Sequence, residues 1–245
     1  MAETKQNEPH HDRLTRLHLI QELDLSVSTI KSGLYLVQRS RPYETQHFLI
    51  MLILSTGIER LMKCLLCLRS LSDDGRFLTE RELRQFGHDI VGLRDAVLDR
   101  CYSAEALSRP AMRQDYEFLR EDDLLNAILA ALSDFGREDR YVYMNGINNP
   151  EDTGEWLDRR WDEIEQMTMP KDEGIQLAVD GNLDEYKSRA IPPIVICLER
   201  FLRALARTVT LSGLKSDAQS LGTAVFDFLV KRDDDLGQTL YKLEN

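Results

Sequence analysis

The sequence predicts an all-α protein, an up-and-down helical bundle with additional C-terminal helices, and two patterns carry that prediction. Apolar residues recur at three- and four-residue steps through most of the chain, and no segment shows sustained period-two alternation. The periodic segments are also bounded by proline, glycine or capping residues, the punctuation of helices.

Residues 1–12, with Pro9, His10 and His11, read as a flexible N-terminal tail. From Arg13 to Ser40 the residues Leu17, Ile20, Leu23, Val27, Ile30 and Leu34 make one helical stripe, which Pro42 ends. A second helix is expected from Tyr43 to Leu71. Its first half, Phe48 to Leu54, is apolar on all sides and belongs at the centre of a bundle. Asp73-Asp74-Gly75 breaks the chain, and Thr79 with Glu82 has the spacing of a capping box for a short helix that Gly87 stops. A third main helix starts near Asp89 and turns Ile90, Leu93, Val97 and Leu98 inward. One further stretch runs from Pro110 to Phe135 on the stripe Leu125, Ile128, Leu132 and Phe135.

Turn residues crowd residues 136–155, including Gly136, Asn145-Gly146 and Asn149-Pro150, and this places the main subdivision. Residues 13–145 then form the bundle. Residues 151–245 form a C-terminal helical region expected to pack on it as one interleaved domain. That region holds a helix near 155–167 with Leu157, Trp161 and Ile164. A second helix runs from Ile191 to Leu211, with Pro192-Pro193 in its first turn and Ile194, Leu198, Phe201, Leu205 and Val209 inward. A last helix is expected from Asp217 to Val230.

Composition excludes several classes. Of the 245 residues 42% are apolar and 30% charged, an ordinary globular balance, and the net charge of −11 opposes a surface that binds nucleic acid or anionic membrane as a whole. The greasiest stretch, Phe48 to Leu68, contains Glu59, Arg60 and Lys63, each costing about 2.5–3.5 kcal/mol at a bilayer centre, so it reads as a core helix. The N-terminus lacks an apolar signal-peptide core. Cys64 and Cys67 form a C-x-x-C inside a continuous helical pattern, which makes them buried small hydrophobes and not zinc or redox ligands. The expectation is a cytoplasmic protein without membrane anchor, cofactor or structural metal.

Common catalytic signatures are missing: the phosphate-binding and dinucleotide glycine loops, H-E-x-x-H and G-x-S-x-G. Two constellations remain. Glu59 precedes Lys63 by one helical turn, and Gly87-His88-Asp89 opens the third helix, where a carboxylate or an anion meets free amides. Separately, Arg200, Arg203 and Arg207 recur at i, i+3 and i+7, a line suited either to phosphates or to acidic neighbours such as Asp233-Asp234-Asp235.

Glu59-Arg60-Leu61-Met62-Lys63-Cys64-Leu65-Leu66, then Gly87-His88-Asp89-Ile90 with Leu93, then Arg140-Tyr141 together resemble the HEPN (higher eukaryote and prokaryote nucleotide-binding) superfamily over roughly residues 20–145. The resemblance implies an up-and-down bundle that often forms homodimers. It also implies one of two roles: a metal-independent ribonuclease of toxin or defence systems, or a non-catalytic module binding nucleotide, RNA or a protein partner. Ribonuclease members keep an arginine, a spacer of four to six residues and a histidine late in the bundle, for acid–base work on the 2′-hydroxyl and for phosphate charge. Arg13–His18, Arg41–His47 and Arg81–His88 match that spacing, but no histidine follows residue 88. The expected role is therefore non-catalytic binding through Glu59, Lys63, Asp89, Arg140, Tyr141, Arg200, Arg203 and Arg207. The alternative is a ribonuclease acting through His88 with Arg84 or Arg81.

Overall fold

Two long helices open the chain and lie against each other. In the computed structural model, which describes residues 10–40, 47–137, 147 and 155–243, α1 spans His10–Arg39 and α2 spans His47–Asp74. They run antiparallel, and glycines set how closely they approach. A Cβ on Gly57 would lie 2.7 Å from Ile30 Cγ1 and 3.1 Å from the Ile30 backbone nitrogen, and one on Gly33 would lie 2.5 Å from Leu54 Cδ2. A backbone atom cannot rotate aside. Gly57→Val is therefore expected to force the helices apart and cost about 1–3 kcal/mol, read as a lower denaturant midpoint. An unchanged midpoint would show that the crossing has slack.

The predicted caps organise the next segment. Thr79 accepts from the Glu82 amide while the Glu82 carboxylate accepts from the Thr79 amide, so α3 (Glu80–Arg84) starts with a capping box. Asp89 caps α4 (Ile90–Cys101), whose Ile90, Leu93, Val97 and Leu98 are buried. A short α5 (Ala104–Leu107) follows on a Ser103 cap. The stretch expected as one helix from Pro110 to Phe135 is two, α6 (Pro110–Glu121) and α7 (Asp123–Arg137). Asp122 divides them: its backbone is extended (ψ 118°) and its side chain accepts the Leu125 amide at 2.9 Å. Asx chemistry overrides a continuous apolar stripe here.

Beyond it come α8 (Glu155–Gln166), α9 (Lys171–Val179) and α10 (Leu183–Leu211). The proline pair was expected in the first turn of α10, but the helix begins two turns earlier and carries Pro192 and Pro193 inside. The carbonyls they leave unmatched belong to the exposed Ser188 and Arg189, where water can serve them, while Tyr186, Ala190, Ile191 and Ile194 are buried on the other side. The final helix is likewise broken into α11 (Ser216–Leu221), a 3₁₀ turn at Thr223–Val225 and α12 (Phe226–Leu229). The break falls at Gly222, where a Cβ would lie 2.5 Å from Val209 Cγ1.

The described residues are helical or irregular, with no strand among them. Their apolar side chains form one contiguous core in which Trp161, Phe135, Phe201 and Phe228 are fully buried. The α10 helix packs on α1, α2, α6, α7, α8, α9 and α12. Leu17 and Leu49, expected inward, are exposed, because the α1–α2 contact turns each to the outer face. The chain's last described segment straps α1 to α10. Gln38 Nε2 donates to the Thr239 carbonyl at 2.7 Å, and the Tyr241 amide donates back to Gln38 Oε1 at 3.0 Å. No helix among the described residues is long and apolar enough to cross a membrane.

Candidate functional site

The middle of α2 delivers Glu59 and Lys63 to the turn before α4. Gly87 takes a left-handed conformation there (φ 52°), which only glycine adopts without strain and which reverses the chain at the end of the α3 segment. Lys63 Nζ donates to Glu59 Oε1 at 2.6 Å and to the Gly87 carbonyl at 2.7 Å. The other Glu59 oxygen lies 2.8 Å from His88 Nδ1. Glu59 is buried, whereas the His88 side chain is 49% exposed.

Gly136, expected in a turn, lies inside α7 and supports this arrangement. A Cβ there would fall 3.2 Å from both the Cβ and the carbonyl oxygen of His88, so the missing side chain lets the two backbones approach. Asp89 is committed to structure: Oδ1 accepts from the Gly92 amide at 2.9 Å and from Ser133 Oγ at 3.0 Å, while Ser133 Oγ accepts the Ile90 amide at 3.1 Å.

The chemistry available follows from this geometry. A carboxylate facing Nδ1 fixes the tautomer with the proton on Nδ1, leaving Nε2 as the nitrogen Glu59 does not engage. Such an imidazole can accept a hydrogen bond or a proton from a ligand through Nε2. Lys63 is a fixed cation beside it.

Lys63 also lines a groove of about 370 Å³ where α1, α2 and the segment before α3 meet. Its walls include Leu19, Cys67, Phe77, Leu78 and Leu83, and His18 and the Glu22–Arg60 pair also line it, Arg60 Nη2 donating to Glu22 Oε2 at 2.7 Å. Burial pushes the Cys64 thiol far above its usual value and Cys67 up to about 11, so both remain thiols at neutral pH.

The remaining predicted residues are placed elsewhere. Arg84 and Arg81 are exposed on α3, and Arg84 pairs with Glu80 of its own helix, so the cation at His88 is Lys63 and not Arg84. Arg200 stacks over the Phe118 ring at 4.0 Å. Arg203 is buried, donating to Asp233 Oδ1 at 2.6 Å and to the Lys231 carbonyl at 3.1 Å. Arg207 grips Asp115 through both carboxylate oxygens at 2.9 and 3.1 Å. The arginine line thus spends its charge inside the fold. Arg140 and Tyr141 lie outside the described residues.

Sequence reasoning missed the link between Glu59 and His88, which are 29 residues apart, and it missed Gly136. The Glu59–Lys63 spacing was the usable signal; nothing local announces the imidazole as its third member. No family model matches the chain, and no curated protein or solved structure matches it either.

Proposed function

We propose that the chain is a non-catalytic, HEPN-like helical binding module, and that its site is the α1–α2 groove that Lys63 lines, with His88 held on the same Glu59 as Lys63. The observation that carries this reading is the Glu59–His88–Lys63 cluster beside an apolar groove: a buried carboxylate orients a half-exposed imidazole and a lysine next to a slot of small-molecule size. Such a site suits a ligand with a flat apolar body and an anionic end, the chemistry of a mononucleotide. A homodimer belongs to the same reading, supported by Leu14, Leu17 and Leu25 exposed along one face of α1.

Titration calorimetry with AMP, adenosine and inorganic phosphate tests it. AMP is expected to bind, adenosine more weakly, and His88→Ala is expected to lower AMP affinity about tenfold, the worth of one hydrogen bond to a charged group. Absence of AMP binding, or binding that ignores both His88→Ala and a groove-filling Cys67→Phe, would overturn the assignment.

A second reading rests on the dyad alone. An imidazole held by a carboxylate is a competent general base, and a metal-independent ribonuclease would use His88 against the 2′-hydroxyl with Lys63 on phosphate charge. Chelator-insensitive RNA cleavage that disappears in His88→Ala would establish it over the binding reading. Intact RNA after prolonged incubation would leave the binding module standing.

A further inference from the structure

One polar group on the wall of the α1–α2 groove takes no part in the Glu59 cluster. His18 is exposed on α1 and lines the groove, and no hydrogen bond or ion pair engages its ring among the described residues. The other charged groups on the walls have partners. Glu22 and Arg60 hold each other, so as a unit they are neutral. Lys63 donates to Glu59 and to the Gly87 carbonyl, but an ammonium carries three N–H donors, and the third is left for a ligand.

The two helices fix where His18 stands. The Glu22–Arg60 pair puts those residues at one level of the antiparallel α1–α2 contact. Four residues back along α1 is His18, and three residues on along α2 is Lys63. At a rise of about 1.5 Å per residue the first step covers about 6 Å and the second about 4.5 Å. Both steps run in the same direction because the helices are antiparallel. His18 and Lys63 therefore stand at nearly the same height, one on each side of the seam, and both line the groove. Apolar side chains complete the slot: Leu19 from α1, Cys67 from α2, and Phe77, Leu78 and Leu83 from the α3 segment.

We propose that His18 and Lys63 clamp one phosphate between α1 and α2, so that the groove selects a mononucleotide with a terminal phosphate, its apolar body lying against Leu78 and Leu83. The inference rests on the binding-module reading above and names what recognises the anionic end of the ligand. An imidazole and an ammonium on opposite sides of the seam meet different oxygens of one phosphate. A terminal phosphate offers three such oxygens and carries nearly two charges at neutral pH, which strengthens a hydrogen bond from either side. A phosphodiester offers fewer oxygens and a single charge. The nearby Glu22 does not repel the ligand, because Arg60 neutralises it.

Titration calorimetry of the full chain at neutral pH, with AMP, the phosphate methyl ester of AMP and adenosine, tests the clamp. The parent chain is expected to bind AMP about tenfold more tightly than the methyl ester. His18→Ala is expected to lower AMP affinity about tenfold, the worth of one hydrogen bond to a charged group, and to leave adenosine within about twofold of the parent. AMP then loses most of its advantage over the ester. His18 is exposed, so the variant is expected to melt with the parent. In proton NMR, AMP is expected to shift the ring signals that His18→Ala removes, and adenosine to leave them in place.

The outcomes separate the clamp from the reading beneath it. AMP binding that responds to Cys67→Phe but not to His18→Ala overturns the clamp and leaves the groove as the site. Ester binding as tight as AMP binding does the same. A parent chain that binds no AMP overturns both.

Discussion

Glu199→Ala is expected to lower folding stability by roughly 3–5 kcal/mol, because it removes the buried carboxylate that holds Lys231, Gly237 and Tyr241 of the C-terminal strap. Glu199 is fully buried in α10. Its Oε1 accepts from the Tyr241 hydroxyl at 2.5 Å and faces Lys231 Nζ at 3.0 Å, and its Oε2 accepts from the Gly237 amide at 2.6 Å. Truncation strands a largely buried ammonium, a phenol and a backbone amide together, and each loses a partner that water cannot replace. For a chain of this length that loss is a fall in melting temperature of roughly 6–20 °C.

Graded variants separate charge from packing. Tyr241→Phe removes one hydrogen bond and should cost about 1–2 kcal/mol. Glu199→Gln keeps one acceptor oxygen but leaves Lys231 without its counter-charge, so it should fall between the two. Because the strap also reaches Gln38 of α1, its release should expose α1's last turn to exchange before the middle of α2. An alanine variant that melts within a few degrees of the parent would mean that the strap contributes little.

How much of this was legible follows the range of each interaction. Local chemistry was readable: the Thr79–Glu82 box and the Asp89 cap are three-residue patterns, and each formed where its spacing placed it. The stripe of α1 gave the core residues Leu23, Val27, Ile30 and Leu34 correctly but erred on Leu17, since steps of three drift around the helix and leave Leu17 on the outer face. Asp122 and Pro192-Pro193 failed in opposite directions. One aspartate stopped a helix the stripe would have continued, and two prolines failed to stop a helix whose far side was buried. In both cases a local preference worth a few kcal/mol was weighed against packing that only the fold supplies.

The candidate site divides in the same way. Glu59 and Lys63 could be paired from their spacing alone. His88 reaches Glu59 only because Gly87 reverses the chain and Gly136 of α7 leaves room, and neither glycine advertises that role in sequence. For the arginines the sequence carried two readings, phosphates or acidic neighbours. Asp233 and Asp115 occupy Arg203 and Arg207, and Asp115 was invisible as a partner because it lies 92 residues away.

Arg207 provides the sharpest test of that distinction. Arg207→Met is expected to cost roughly 3–5 kcal/mol at neutral pH, since it keeps the apolar stem but leaves Asp115, which is 2% exposed, as an unpaired buried carboxylate. Burial already pushes the Asp115 carboxyl above its usual value, with Arg207 the chief opposing influence. Removing the guanidinium raises it further, so the folded variant holds a proton that the unfolded chain has released. Its stability therefore falls as pH rises above the ordinary carboxylate range, and its deficit against the parent shrinks as pH returns towards that range. Replacing both partners, as Asp115→Asn with Arg207→Met, should recover much of the loss, and the cycle should show a coupling of about 1–3 kcal/mol. A phosphate-tracking arginine would behave otherwise: Arg207→Met would leave the melting temperature intact and weaken RNA binding with a shallower salt dependence. A variant as stable as its parent, with no pH dependence of the difference, would return the arginine line to the candidate site.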